Sequence, residues 1–198
     1  MRFITSLFKS KEKNMNRKLE KTFEEFSYLK FLQNKTKNND GYYLKDYWDM
    51  KNSELEYIHN YIQFMFPLYE PSSVKPYIPV LNKDEVQKIL TNKGLYHDIK
   101  ENIKKSLTIM LDFYGLKYEK DKIEKYDNFI ERKKNWITPR NHNYLRITRI
   151  LKCLMIFEMR DEAIAFYRML LELKGEYPKE IDDISVDYWV EAVGNLII

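Results

Sequence analysis

The chain has 198 residues, of which 44% are hydrophobic and 32% charged, with a net charge of +4. That composition suits one globular domain, alone or with a tail, and excludes wholesale disorder. Five glycines and six prolines are too few turn formers for an all-β sandwich or barrel, and the single cysteine, Cys153, excludes an internal disulfide framework and a four-thiolate zinc cluster.

The first residues, MRFITSLFKSKEK, carry an apolar stretch broken by Thr5 and Ser6 and ended by Lys9, too short for a secretory core. No run approaches the roughly 20 apolar residues that span a bilayer. The expectation is a cytoplasmic protein with no membrane contact, in a reducing compartment. Residues 1–40 carry a net +5 and residues 169–198 a net −5. The basic head is either a solvated helix face or a surface that meets phosphates.

Glycine and proline fall between segments with helical apolar spacing, which predicts an all-α fold. Met15, Leu19, Phe23, Phe26 and Leu29 step as one amphipathic helix, ended by the Asn38–Gly41 cluster. Ser53-Glu54-Leu55-Glu56 has the capping-box pattern and opens a helix carrying Leu55, Ile58, Ile62 and Met65. Pro67 stops it, and a Pro-rich extended connection covers 67–79. Asn82 caps a short helix to about Leu90. Ile99, Ile103, Leu107, Met110, Leu111 and Tyr114 form the clearest core helix, closed by Gly115.

Residues 121–134 read as a polar helix with Ile123, Tyr126 and Ile130 inward. Thr138-Pro139 reads as N-cap and first helical residue of a helix to about Glu158. Asp161 caps the next, with Ile164, Tyr167, Leu170 and Leu171 inside and Gly175 at its end. Residues 185–193 give a last short helix, and no period-2 strand is visible. The whole predicts a compact bundle of seven or eight helices. Residues 1–30 form a basic N-terminal extension, 31–175 the main domain, and 176–198 an acidic helix packed on it.

Within this pattern, Leu55-Glu56-Tyr57-Ile58-His59-Asn60-Tyr61-Ile62-Gln63-Phe64-Met65-Phe66-Pro67-Leu68 resembles a signature that runs Leu-Glu-x-x-His-Asp-Tyr-Ile-Gln-Trp-Leu-Phe-Pro-Leu. It is the signature of the opioid growth factor receptor conserved domain. Met110 to Leu116 resembles that family's Met-Leu-x-Phe-Tyr-Gly-Leu, and Asn141 to Leu151 its Asn-His…Leu-Arg-Ile-Thr-Arg-Ile-Leu block. Glu70-Pro71-Ser72 and Pro79-Val80-Leu81 resemble the blocks between. The likeness covers about residues 30–171, and the chain looks like a short microbial-type member. Asn60 replaces the usual acid and Phe64 the usual Trp. The resemblance implies an α-helical domain with a binding role and carries over no catalytic residue. The animal member is described as a receptor for the pentapeptide Met-enkephalin. Its extended repeat tail has no counterpart in this sequence, so that role is not carried over.

Read as chemistry, His142, Arg146, Arg149 and Cys153 step by 4, 3 and 4 along one helix face. Two guanidiniums among apolar neighbours need partners, because a buried unpaired charge is prohibitive. Those partners are either internal carboxylates such as Asp46, Asp49 or Glu56, or an anionic ligand matched to the guanidinium fork. His59 is the other histidine in reach of this set. It is either a packed interior residue or part of a pocket with His142, and the ligand count for a metal is lacking. A phosphate loop and a nucleophile elbow are both absent.

Tyr42, Tyr43, Tyr47, Trp48, Tyr57 and Phe64 offer an aromatic surface of the kind found in interface hot spots, unless they serve interhelix packing. Three functions follow as expectations. The first is a non-enzymatic interaction domain for a protein or peptide, in its narrowest form an anti-CRISPR-like inhibitor of a host nucleoprotein machine. The second is a small anion-binding protein or enzyme built on His142, Arg146, Arg149 and His59. The third is a nucleic-acid binder that aligns the basic head with Lys120, Lys122, Lys125, Arg132, Lys133 and Lys134. No cofactor and no metal are expected.

Overall fold

A computed structural model describes residues 26–72 and 75–194. Ten helices and one two-stranded hairpin are found among them: α1 Tyr28–Phe31, α2 Leu44–Trp48, α3 Asn52–Tyr57, α4 Tyr61–Met65, α5 Lys83–Thr91, α6 Lys93–Tyr114, β1 Leu116–Glu119, β2 Lys122–Lys125, α7 Phe129–Trp136, α8 Asn143–Ile156, α9 Arg160–Glu176 and α10 Asp183–Val193. The predicted residues 15–25 of the first helix lie outside the described ones. Ser27, in extended conformation, caps the single turn of α1, so the predicted helix does not run through Phe26; Phe26 before the turn and Leu29 within it both pack against the core.

The 22-residue α6 is the spine. Asn92 caps it by accepting from the Leu95 amide, and Gly115 ends it with φ +73°. That left-handed residue is needed twice over. A Cβ there would also sit 2.7 Å from the Phe129 Cα. The core is one continuous cluster in which α5, α7 and β1 pack on α6, and α9 and α10 pack on α8. Buried indoles pin these layers. Trp136 Nε1 donates to the Tyr114 carbonyl at 3.0 Å, and Trp189 Nε1 to the Tyr144 carbonyl at 3.3 Å. Glu162, almost buried on α9, meets Lys100 and Lys104 of α6 at 3.8 and 3.9 Å.

Several sequence expectations are corrected, among them the count of seven or eight helices, which the ten helices among the described residues exceed. The fold is predominantly helical and not purely so, because 116–125 is an antiparallel hairpin. Lys120 and Asp121 have φ of 48° and 62°, the paired positive values of a two-residue hairpin turn. The helix predicted over 121–134 therefore starts only at Phe129. Of its expected inward residues only Ile123 is buried; Tyr126 and Ile130 are exposed, and Phe129 and Trp136 face the core instead.

The helix predicted from Ser53 through Met65 is two helices. Its first turn is closed two residues earlier than the predicted Ser53/Glu56 box, by Glu54 Oε2 accepting from the Lys51 amide at 2.7 Å. Ile58 leaves the helical region at ψ 98°, so the chain turns before α4.

Thr138-Pro139 does not open α8. The chain loops through Arg140 at φ 56°, and Asn141 Oδ1 accepts from the Asn143 amide at 2.9 Å to start the helix there. Finally, α9 starts at Arg160 after Met159, so Asp161 lies in its first turn and is not its cap, and the helix runs past Gly175 to Glu176 with Leu171 exposed. The expected caps at Asn82 and Gly115 stand, and Asp182 caps α10, whose first residue Asp183 lies two before the predicted Ser185.

Candidate functional site

The break between α3 and α4 decides where His59 goes. Because Ile58 is extended, the residues after it swing away from the α3 axis. His59 then lies exposed beside the loop that precedes α8. Its Nδ1 meets the Tyr57 carbonyl at 2.7 Å. A carbonyl only accepts, so in this geometry Nδ1 carries the proton. The ring stacks on that of His142 at 5.8 Å between centroids, inclined by 25°.

On α8 the residues Leu145, Thr148, Arg149 and Lys152 recur at helical spacing and face one cleft of about 490 Å³. The opposite wall is Ile62 and Gln63 of α4 with Leu68, Glu70, Pro71, Ser72 and Lys75 of the following loop, and Tyr188 of α10 closes one side. All four predicted pocket residues, His59, His142, Arg146 and Arg149, line this cleft. Cys153, the last member of the predicted stripe, turns into the core and is wholly buried.

The two arginines differ. Arg146 is only 6% exposed. Its Nη1 donates to Asn143 Oδ1 at 2.9 Å, its guanidinium lies over the Tyr61 ring at 5.4 Å, and its contact with Glu56 is 4.0 Å. Its Nη2 is buried with no hydrogen-bond partner among the described residues, as are Glu56 Oε2 and the hydroxyls of Tyr61 and Tyr114. Glu56 thus supplies the internal carboxylate for Arg146, at long range, while Asp46 instead accepts from the Tyr43 amide at 2.7 Å. Arg149 donates through Nη1 to the Phe66 carbonyl at 3.2 Å and has no carboxylate within 4.0 Å among the described residues.

Electrostatics follow this arrangement. Burial lowers the Arg149 pKa below its ordinary value. Burial also pushes the Tyr61 hydroxyl up to about 12, opposed by Arg146. His142 is lowered from the usual histidine value, first by desolvation and next by Arg146, while Glu56, whose Oε1 lies 3.5 Å from Nε2, acts the other way. His142 is therefore neutral near pH 7. Among the described residues no cluster of three or more His, Cys, Asp or Glu side chains is placed to hold a metal ion.

The predicted aromatic surface does not form as one patch. Tyr47 and Phe64 are buried and stack on each other at 6.4 Å, so both belong to the core. Trp48 is half-buried, donating to Ser106 Oγ at 2.9 Å beneath the Lys105 ammonium. Tyr43 lies under Lys37 and Lys45, while Tyr42 and Tyr57 are exposed. Of the basic residues proposed for nucleic acid, Lys125 is paired with Glu176 and Lys133 donates to the Tyr177 hydroxyl at 3.0 Å; the basic head lies largely outside the described residues.

Sequence reasoning missed Leu145 and Tyr188 as cleft residues. Both are large apolar side chains that remain substantially exposed. The available signal was the place of Leu145, between His142 and Arg149 on the same helix.

A family model described as the opioid growth factor receptor (OGFr) conserved region matches residues 20–196. The opioid growth factor receptor of Homo sapiens is 30% identical over 174 residues, 83% of this chain and 24% of that protein. The opioid growth factor receptor of Mus musculus is 32% identical over 155 residues, 75% and 23% of the two chains. Opioid growth factor receptor-like protein 1 of Mus musculus is 34% identical over 143 residues, 66% and 28% of the two chains. The chain spans about a quarter of the length of these relatives. No solved structure matches. No helix among the described residues is long and apolar enough to cross a membrane.

Proposed function

We propose a function from a premise the comparisons establish: the chain belongs to the opioid growth factor receptor conserved-region family. It is a binding domain, and a segment of a protein or peptide partner occupies the cleft between α4, residues 68–72 with Lys75, and α8. One observation carries this reading. Residues from three separate stretches of sequence converge on a single cleft that is apolar in its walls and basic along α8. Sites of this volume with a few convergent polar groups are the usual place for recognition. Relatives named as receptors support a binding role.

The second reading, a small anion-binding protein or enzyme, draws on the His142–Glu56 contact at 3.5 Å beside the stacked His59. It shares the same cleft, and turnover of a small substrate would separate it from the first. Anti-CRISPR activity has no observation behind it in the cleft or in the relatives. The lone buried thiol of Cys153 fits a cytoplasmic setting.

The test is site-specific photocrosslinking in the source cells. With p-benzoylphenylalanine at Leu145, on the cleft wall, a defined partner band is expected. The same group at Ile130, exposed on α7 outside the cleft, gives none. Equal labelling from both positions would refute the cleft as the binding site.

A further inference from the structure

Resting on the reading of the cleft as the binding site, we infer what its occupant carries: an acidic side chain next to a large apolar one, in an extended peptide segment. The acid is met by Arg149 and Lys152, and the apolar neighbour rests on Leu145 and Tyr188.

The argument begins with the two ends of the basic row on α8. At the end nearer His142, the chain's own Glu56 faces Arg146 and His142 at 4.0 and 3.5 Å. That end therefore already meets a carboxylate. At the other end, Arg149 and Lys152 stand three residues apart on one helix face, and neither has a carboxylate within 4.0 Å among the described residues. Arg149 is largely buried with a single backbone acceptor, the Phe66 carbonyl, while an arginine offers five N–H donors. The buried Nη2 of Arg146 adds a second guanidinium short of acceptors in the same wall. Glu70 is the nearby counter-charge for Arg149, outside ion-pairing distance, and cations so incompletely matched in partly desolvated positions attract an acid more strongly than the same cations on open surface.

The rest of the lining says what bears the acid. Ile62, Leu68 and Pro71 form an aliphatic wall. Leu145 and Tyr188, 64% and 48% exposed, carry the cleft out over α8 and α10, and Ile184, one turn before Tyr188, extends that face at 67% exposure. The apolar surface thus runs on beyond the cleft, as suits a chain segment longer than the cleft itself. A phosphodiester backbone fits poorly. Glu70 on the rim opposes a polyanion more than a single acid, and the aromatic rings in the lining, Tyr188 and the mutually stacked His59 and His142, make no run of platforms along a basic groove of the kind single-strand binders use.

The experiment is selection of a phage-displayed random heptapeptide library on the intact protein, followed by anisotropy of the fluorescein-labelled consensus peptide. We expect a consensus that pairs Asp or Glu with Leu, Met, Phe or Tyr. Changing its acid to the amide, or making Arg149→Gln or Lys152→Gln, should weaken binding by about tenfold or more, and added salt should weaken it further. Ile130→Thr should leave it unchanged. Thermal unfolding of each variant separates loss of binding from loss of fold, and Lys152, a partly exposed residue, keeps the test alive if Arg149→Gln is unstable.

A purely apolar consensus that still blocks the Leu145 crosslink would overturn the acidic inference and leave the cleft reading intact. Peptides insensitive to every cleft variant, together with indiscriminate crosslinking, would overturn both. Failure to enrich any peptide, or displacement of the peptide by a labelled 20-nucleotide poly-dT that depends on Arg149, would overturn the inference as well.

Discussion

Arg146→Met asks whether that side chain exists to hold the fold. Its Nη1 bond to Asn143 Oδ1 is charge-assisted, about 1.5–3 kcal/mol. The guanidinium over Tyr61 adds about 1 kcal/mol. The contact with the 39%-exposed Glu56, at 4.0 Å, adds about 0–1 kcal/mol. Against these, Nη2 is buried without an acceptor, and a stranded donor costs about 1–3 kcal/mol. Methionine removes that cost and keeps the aliphatic stem that packs α8. The balance is a loss of about 1–2 kcal/mol, which for a chain of this size lowers Tm by about 2–8 °C. Urea unfolding followed by circular dichroism at 222 nm measures it. A loss above about 3 kcal/mol, with the slope in urea unchanged, would refute the reasoning. That is the cost of stripping one partner from a well-paired buried ion pair, and it would make Arg146 structural mortar rather than a wall of a binding cleft.

Three further outcomes test other parts of the structure. Gly115→Ala should cost more than about 3 kcal/mol, from a left-handed backbone and a Cβ 2.7 Å from the Phe129 Cα; thermal melts showing less than about 1 kcal/mol would contradict the turn geometry. Burial pushes the Cys153 thiol far above its ordinary pKa, so the native protein should resist a thiol-reactive disulfide reagent at pH 8 and react only as urea unfolds it. His142 has a lowered pKa when folded, so the unfolded chain binds the proton more readily. Stability from this residue is present above the usual histidine pKa of about 6.5 and falls as pH drops through that value toward the lowered one. Glu56, Arg146 and His59 face the same ring, and His142→Asn should flatten the fall in Tm between pH 7 and pH 5.5; an unchanged profile would assign the dependence elsewhere.

Much of the bundle was legible because apolar spacing and caps agreed. Asn82, Gly115 and the core residues of α6 all act as their chemistry dictates. The hairpin at 116–125 was not, and the cause is visible in its residues. Lys, Glu and Ile at 119–125 favour a helix by propensity, and each strand buries a single end or middle residue, so no alternation appears. Its turn is Lys120-Asp121, without the glycine that usually announces such a reversal.

The interruption at Ile58–Asn60 was hidden for a related reason. The apolar steps at Leu55, Ile58, Ile62 and Met65 continue across it, and only the backbone reveals that two helices share them. For the candidate site, the stripe on α8 was readable from spacing; whether His59 was interior or lined the same cleft was not, because the turn at Ile58 that exposes it leaves no mark in the apolar spacing. Which tyrosines face water was not readable. Tyr47 and Tyr57 share a type and a neighbourhood, yet one is wholly buried and the other is 86% exposed.

One wall of the cleft arrives on the last helix. Tyr188 is carried by α10, which is anchored by Trp189 donating to the Tyr144 carbonyl, and the Tyr144 hydroxyl in turn meets the Glu180 carbonyl at 3.1 Å. On the proposed reading of the cleft as a binding site, seating that helix and filling the cleft are linked equilibria, each favouring the other by the same free energy. Evolution for a tighter complex thus has levers hidden beneath α10, at side chains no guest ever touches.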